Sequence, residues 1–165
     1  MEIIEVSKKD VFRIKKIAEL TWPDTFKEIL SEEQIRYMLN WMYSLEVLAT
    51  QIENGHQFYI LTDNGIDLGF IGTELNYPSI GNAKIHKIYV LPEYQGKGVG
   101  LKLIEQVEMV SKTNNIISLT LNVNRFNKAI DFYLKNGFKI IKEENIEIGN
   151  GFLMEDYVME KILEE

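Results

Sequence analysis

Two periods of apolar side chains divide the chain into a helical first third and a strand-rich remainder. After Ser7, apolar residues recur at helical spacing up to Leu20, and Trp22-Pro23 is expected to end this helix because the residue before a proline disfavours helical angles. Asp24, Ser31 and Ser44 are suitable N-caps for further helices. The sequence therefore predicts a strand over Ile3–Val6, the opening helix, and three more helices over Thr25–Leu30, Glu32–Leu39 and Ser44–Ile52.

Short runs rich in β-branched and aromatic residues, which are typical of strands, dominate after residue 56. Asn64-Gly65 supplies the positive φ angles of a tight hairpin turn between the first two of these runs. A helix between two strands usually joins parallel neighbours, whereas hairpins are antiparallel, so the sheet is expected to be mixed. The predicted strands are Gln57–Thr62, Ile66–Leu75, Ala83–Val90, Ile116–Leu121, Phe138–Lys142 and Phe152–Lys161, and the predicted helices are Val99–Lys112 and Asn127–Lys135.

The composition fits one globular domain over residues 1–165 and excludes several kinds of chemistry. The chain has no cysteine, which excludes thiol nucleophiles, disulfides and cysteine-bound metal, and we predict no metal site. The net charge of −7 argues against a nucleic-acid partner. No apolar run approaches the ~20 residues that span a bilayer and the N-terminus lacks a signal-peptide core, so we expect a cytoplasmic protein without a membrane partner.

A glycine-rich segment, Gln95-Gly96-Lys97-Gly98-Val99-Gly100, lies between a predicted strand and a predicted helix. Free amides at a helix N-terminus bind anions such as a pyrophosphate, and we expect the glycines to admit a ligand to the backbone rather than to serve packing. The dinucleotide motif GxGxxG fails because Leu101 follows Gly100, and the P-loop motif fails because Gly98 follows Lys97. The alternative is a tight turn that binds nothing.

Two motifs together resemble the GNAT superfamily of N-acyltransferases. The first is Q-x-x-G-x-G over Gln95–Gly100, directly after the predicted strand that ends at Val90. The second is N-x-x-A-x-x-F-Y-x-x-x-G-F over Asn127–Phe138. The resemblance covers residues 83–142, and it implies an α/β (α+β) acyl-CoA N-acyltransferase fold. In that fold, helices flank a mixed, mostly antiparallel sheet of six to seven strands, and two central parallel strands splay apart around the cofactor.

The resemblance also implies a binding site for acetyl-CoA. Backbone groups of Ile88 and Val90 would pair with the pantetheine arm, and Gln95 would frame the glycine loop. Asn127 would bond to the pantetheine or phosphate region, and Lys135 would reach the 3′-phosphate. The implied cofactor-binding residues are Ile88, Tyr89, Val90, Gln95, Gly96, Lys97, Gly98, Val99, Gly100, Leu101, Asn127, Tyr133 and Lys135.

The residues implied for catalysis are Tyr133, Glu74 and His86. Tyr133 matches the tyrosine that protonates the departing CoA thiolate in many members, and without a cysteine we expect direct attack by the acceptor amine. Glu74 and His86 are alternative bases that act directly or through water, and water alone is a third option. For each residue there is also a structural interpretation: Tyr133 as a core aromatic, His86 as a hydrogen-bonded strand histidine and Glu74 as a solvated carboxylate.

Residues 20–52 combine aromatic and acidic side chains, which favours a cationic acceptor. Thr21–Phe26 and Ser31–Gln34 resemble the bacterial polyamine (spermidine/spermine) N-acetyltransferases. The implied substrate-binding residues are Trp22, Phe26, Glu28 and Tyr37, with a core role for these aromatics as the alternative. We therefore predict acetyl transfer to a small amine such as a polyamine, by a monomer or homodimer. The alternatives are a protein N-terminus or amino acid as acceptor, and a non-catalytic acyl-CoA sensor.

A run of basic residues surrounds the predicted glycine loop. Residues 84–102 contain four lysines, including Lys87 and Lys97, against the single acid Glu93. We expect this positive charge to meet the phosphates of the cofactor.

Overall fold

Residues 1–164, which the computed structural model describes, form a seven-stranded sheet and five α-helices. The strands are β1 (Glu2–Glu5), β2 (Gln57–Asp63), β3 (Ile66–Leu75), β4 (Asn82–Val90), β5 (Ser118–Asn124), β6 (Lys139–Gly149) and β7 (Phe152–Ile162). The helices are α1 (Val11–Phe26), α2 (Glu32–Tyr43), α3 (Leu45–Glu53), α4 (Val99–Thr113) and α5 (Ala129–Lys135). Within residues 1–164, no helix has the length and apolarity needed to cross a membrane.

The strand order β1-β2-β3-β4-β5-β7-β6 confirms the predicted mixed sheet. Every neighbouring pair is antiparallel except β4 and β5. The β2–β3 hairpin turns at Asn64 and Gly65, whose φ angles of 50° and 79° are the positive values that the sequence predicted. The connection from β4 through α4 to β5 supplies the parallel pair at the centre of the sheet.

The parallel pair of β4 and β5 is short and opens into a gap. Pairing extends only from Asn82 opposite Ser118 to Ile85 opposite Leu121. Beyond these residues, β4 continues to Val90 and β5 to Asn124 without further pairs between them. The ends of these strands therefore have backbone groups free to face a ligand.

Two hydrophobic cores lie on opposite faces of the sheet and hold this gap in place. On one face, Leu103 and Val107 of α4 pack with Ile71 of β3, and Tyr133 of α5 belongs to the same core. On the other face, α1, α2 and α3 form a second core, which includes Trp22. The gap thus lies at the level of the sheet with packed helices on both sides.

The predicted end of the first helix at Trp22-Pro23 is wrong, and so is a separate helix over Thr25–Leu30. Helix α1 continues to Phe26, with Pro23 inside it, and the amide of Lys27 still donates to the Pro23 carbonyl at 3.0 Å. Proline removes one backbone hydrogen bond, but the Trp22 and Phe26 rings pack at 4.6 Å between centroids inside the core. Burial of these side chains outweighs the local preference.

The helix predicted to end at Leu39 and the strand predicted to end at Lys142 are both longer than expected. Helix α2 extends past Leu39 to Tyr43, whose ring is buried in the core. Strand β6 extends past Lys142 to Gly149 because β7 pairs with it along its whole length, although most of its side chains are exposed. Two of the three predicted N-caps were correct: the hydroxyl oxygens of Ser31 and Ser44 accept from the amides of Gln34 and Val47. The third, Asp24, is wrong, because it lies within α1.

Candidate active site

A cavity of about 840 Å³ occupies the gap between β4 and β5. One part, here called the cofactor half, is formed by the end of β4, residues 95–101 and α5. The other part, the acceptor half, is formed by residues 22–30, His86 and Asp156. Among the cofactor-binding residues expected from the sequence, the cavity is lined by Ile88, Tyr89, Val90, Gln95, Gly96, Gly98, Val99, Gly100, Leu101, Asn127 and Tyr133. Lys97 and Lys135 do not line it.

The glycine loop presents backbone amides at the N-terminus of α4. Gly96 and Gly98 have φ angles of 75° and 83°, which glycine adopts without strain. A β-carbon at either position would meet nothing within 4 Å, so the backbone angle and not the space requires glycine. Gly98 occupies the N-cap of α4 without a side chain to bond to the first-turn amides. These amides can bind an anion.

Gly100 corrects the expectation that the glycines serve no packing purpose. A β-carbon on Gly100 would come within 3.2 Å of the Phe132 ring on α5. Gly100 therefore brings α4 and α5 together beside the loop, so one glycine of the motif sets helix packing while the other two shape the turn.

Gln95 and Asn127 each form a local hydrogen bond that shapes the cofactor half. The Gln95 side-chain amide donates to the Val90 carbonyl at 3.2 Å and so ties the loop to the end of β4. The Asn127 side-chain oxygen accepts from the Ala129 amide at 2.9 Å, which caps the start of α5 and leaves its amide nitrogen as a donor.

Tyr133 is both a core aromatic and a residue of the cavity wall. Its ring lies 5.5 Å from that of Phe132 and 5.8 Å from that of Phe138, and only 6% of the residue is exposed. Burial raises the pKa of its hydroxyl above the ordinary value. The hydroxyl therefore stays protonated at neutral pH and can donate a proton or a hydrogen bond.

An aromatic wall separates the acceptor half from the core. Trp22 lies 4.6 Å from Phe26, 5.7 Å from Tyr43 and 5.5 Å from Tyr89, measured between ring centroids. Trp22 and Phe26 line the cavity, as does the exposed Glu28. Tyr37 does not: its hydroxyl donates to the Ile148 carbonyl at 2.9 Å and its ring stacks on Trp41. Trp22 and Phe26 are thus core residues whose surfaces also reach the cavity, whereas Tyr37 packs against the core without lining the cavity.

Glu74 and His86 are joined by a hydrogen bond, and His56 completes the group. Glu74 Oε1 lies 3.0 Å from His86 Nε2 and 3.1 Å from His56 Nε2. His86 is the extra residue of a β-bulge, where Gly72 pairs with Lys87 and Thr73 with Ile85. His86 lines the cavity, and Glu74 lies behind it.

The two imidazoles are neutral hydrogen-bond donors to Glu74. Burial lowers the pKa of His86 to about 4 and also lowers the pKa of His56. With Nε2–H directed at an ionised carboxylate, each ring keeps a lone pair on Nδ1. His86 is thus a candidate base whose imidazole is oriented by the Glu74 carboxylate.

His56, Glu74 and His86 also carry the side chains of a candidate metal site. The three potential ligand atoms lie within 4.8 Å of one another. The imidazole rings, however, are stacked 4.7 Å apart at an angle of only 14°. Both Nε2 atoms lie at hydrogen-bond distance from the same oxygen of Glu74, so hydrogen bonds account for the arrangement of the group.

Sequence reasoning missed His56 and Asp156. His56 carries no motif, but the hairpin register that starts at Asn64-Gly65 pairs Gln57 with Thr73 and so places His56 beside Glu74. Asp156 is 2% exposed on β7 and lines the cavity. The alternation of inward positions along β7 was the available signal for it.

Lys87 does not follow the expectation that the lysines around the loop meet phosphates. Its ammonium donates to the Gln51 side-chain oxygen at 2.7 Å and lies 4.9 Å from the centre of the Tyr43 ring. Burial lowers its pKa to about 8. Lys87 therefore contacts α2 and α3 through Met42 and Gln51, although it also lines the cavity.

Comparisons with known proteins agree with this geometry. The model of the acetyltransferase (GNAT) domain family matches residues 26–161. The chain is 29% identical to the spermidine N(1)-acetyltransferase of Thermoplasma acidophilum over 94% of this chain and 96% of that protein. The structure of the PaiA N-acetyltransferase from Thermoplasma acidophilum in complex with coenzyme A is similar, with 29% identity, a TM-score of 0.82 and coverage of 98% and 99% of the two chains. A GNAT-family acetyltransferase from Staphylococcus aureus, 22% identical with a TM-score of 0.75 over 99% of both chains, shares the fold.

Proposed function

The chain belongs to the GNAT acetyltransferase family, and from this premise we propose that it transfers the acetyl group of acetyl-CoA to a primary amine of a small cationic acceptor, with polyamines as the favoured class. The observation that carries this proposal is the meeting of three features in one cavity. These are the free edge of β4, the amides of the glycine loop and the hydroxyl-bearing Tyr133.

The cofactor half fits acetyl-CoA by its own chemistry. Loop amides and the N-terminus of α4 would bind the pyrophosphate, and the unpaired edge at Ile88 and Val90 would pair with the pantetheine amides. Because the Val90 carbonyl already accepts from Gln95, Ile88 offers the freer carbonyl of the two. When bound, acetyl-CoA supplies the thioester carbonyl that the amine attacks.

His86 and Tyr133 would move the two protons of the reaction. His86 Nδ1 would take the proton of the attacking amine, while Glu74 holds the imidazole by its Nε2–H. Tyr133 would donate its hydroxyl proton to the departing sulfur as the carbon–nitrogen bond forms and the carbon–sulfur bond breaks. Direct attack requires no covalent acyl-enzyme.

The acceptor class is supported by the relative from Thermoplasma acidophilum and by the charges of the acceptor half. Asp24, Glu28 and Asp156 are carboxylates of the cavity lining, and the Trp22 and Phe26 rings add aromatic surface. A cationic amine is attracted both by negative charge and by the faces of aromatic rings.

The test is release of free CoA thiol with spermidine, a diamine, a monoamine, an amino acid and a peptide as acceptors. We expect turnover with spermidine or the diamine at the highest kcat/KM. Turnover only with the peptide would move the acceptor to a protein N-terminus. Binding of acetyl-CoA, measured by calorimetry, without turnover on any amine would overturn the enzymatic proposal.

A further inference from the structure

Asp156 is a buried carboxylate whose hydrogen-bonding capacity is largely unused. It is 2% exposed, lines the cavity, and lies on β7 opposite Asn124 of β5. Among residues 1–164, the one side-chain donor to it is the Asn122 amide, at 3.3 Å, and the same amide also donates to Glu144 at 3.0 Å. A carboxylate can accept about four hydrogen bonds, so most of this capacity is open.

The basic side chains around Asp156 have their nearest contacts elsewhere. Lys84, whose charge is felt at Asp156, has its ammonium 5.9 Å from the centre of the Tyr77 ring. Arg125 pairs with Glu143 at 3.0 Å and Glu155 at 3.8 Å, and Lys142 pairs with Glu144 at 2.8 Å. Within the part of the chain that the structure describes, no basic nitrogen lies within 4.0 Å of Asp156. Burial raises the pKa of Asp156 and outweighs the opposing effects of the Asn122 hydrogen bond and of the Lys84 and Arg125 charges. A buried negative charge without a partner is costly, and a cationic ligand removes this cost.

The two sides of the acceptor half differ in kind. On β4, His86 is a neutral imidazole that can take a proton, whereas on β7 Asp156 offers a negative charge. The nitrogen that attacks the thioester must be neutral. Contact with an ionised carboxylate favours the protonated, non-nucleophilic form of an amine. Asp156 is therefore suited to a nitrogen that does not react.

We propose that Asp156 binds a second ammonium group of an acceptor that carries two amino groups, while the other amino group reacts at His86; this rests on the proposed function. The Asn122 amide holds the carboxylate in place from the strand beside it. The site thus selects diamines and longer polyamines over monoamines of the same length.

The experiment compares 1,4-diaminobutane with butylamine on the wild type and on Asp156→Asn. For the wild type, we expect kcat/KM for the diamine to exceed that for butylamine by about 10- to 100-fold, the range of one charged hydrogen bond. In Asp156→Asn this preference should disappear, because kcat/KM should fall far more for the diamine, through a higher KM, than for butylamine. Glu144→Gln, which shares the Asn122 amide but does not line the cavity, is the matched control and should keep the preference.

Equal loss on both amines would overturn the proposal and assign Asp156 to the reacting nitrogen. An unchanged preference would overturn it as well. If Asp156→Asn does not fold, the test rests on the wild type. A wild type that does not prefer the diamine to butylamine would overturn the proposal. Calorimetric binding of both amines to the CoA-saturated protein gives a readout without turnover, so failure of the acetyltransferase proposal is distinguishable from failure of the ammonium site.

Discussion

The two halves of the cavity are built from different parts of the polypeptide. The cofactor half relies mainly on backbone: positive φ angles at Gly96 and Gly98, free amides and an unpaired strand edge. The acceptor half relies on side chains from separate segments, with His56, Glu74, His86 and Asp156 lying up to 100 positions apart. A backbone site is encoded in a contiguous motif, whereas a side-chain site exists only once the sheet has assembled.

Tyr133 is a side chain in the wall of the cofactor half, and we expect its substitution to have the largest effect on activity. We expect Tyr133→Phe to lower kcat by about 10²- to 10⁴-fold, the range for loss of a general acid, because the ring packing is kept and only the hydroxyl is lost. Steady-state kinetics would show this, with calorimetry showing unchanged affinity for CoA. An unaltered kcat would remove Tyr133 from proton transfer.

A backbone change in the cofactor half should lower the affinity for CoA as well as stability. Gly98→Val places a β-branched residue at φ 83°, which costs about 1–3 kcal/mol, so we expect the free loop to relax to other angles. Because CoA binding must then restore the original angles, we expect CoA affinity to fall by roughly 5- to 150-fold. Gly65→Val is the matched control, since Gly65 has φ 79°, equally open surroundings and a position in the β2–β3 turn away from the cavity. Both variants should lose stability, and only Gly98→Val should lose CoA affinity; equal losses of affinity would contradict the assignment of the loop.

His56 should have a smaller effect, confined to the acceptor half. His56→Phe keeps an aromatic ring beside His86 but removes one donor to Glu74, worth about 0.5–1.5 kcal/mol, so we expect a roughly 2- to 12-fold lower kcat. It also removes a second imidazole, whose protonated form opposes protonation of His86 and so helps to lower the pKa of His86. The acid limb of the kcat profile should therefore move to higher pH. His56→Gln, which restores a donor, should recover part of the rate. A profile identical to that of the wild type would leave His56 a purely structural residue.

The smallest expected effect is on stability at mildly acidic pH. Burial first of all holds the pKa of His86 at about 4, below the ordinary value of 6.5, although the hydrogen bond to Glu74 acts in the opposite direction. The charge of Lys84 and the protonated form of His56 lower this pKa further. As pH falls from 6.5 to 4, the unfolded chain therefore takes up a proton before the folded chain does, and the free energy of unfolding decreases. His86→Gln should flatten this decline, a change of about 2–4 °C in Tm for each kcal/mol, measured by thermal denaturation at several pH values. A steeper decline in the variant would reverse the sign.

The sequence could predict the elements that local patterns control. Asn64-Gly65 gave the β2–β3 hairpin, Gln95–Gly100 gave the loop and the start of α4, and the helix between β4 and β5 gave the parallel pair. The prediction at Pro23 was wrong because burial of Trp22 and Phe26 outweighs the local backbone preference. Their partners in the core are distant in sequence, so a short stretch of sequence does not show this burial. His56 and Asp156 were missed for a related reason, since each acquires its role from strands that pair only in the folded sheet.

The β-bulge of β4 accommodates His86 without changing which way the neighbouring side chains of the strand point. Ile85, Ile88 and Val90 join the core on the α4 face, while Lys87 and Tyr89 contact the face covered by α1–α3. This alternation would be regular if His86 were absent, since the bulge absorbs the extra residue. The strand therefore behaves as a scaffold into which one amino acid has been inserted. A shortened chain that lacks only position 86 would keep every other side chain of β4 on its present face, so residue 86 can change without disturbing the alternation of the strand.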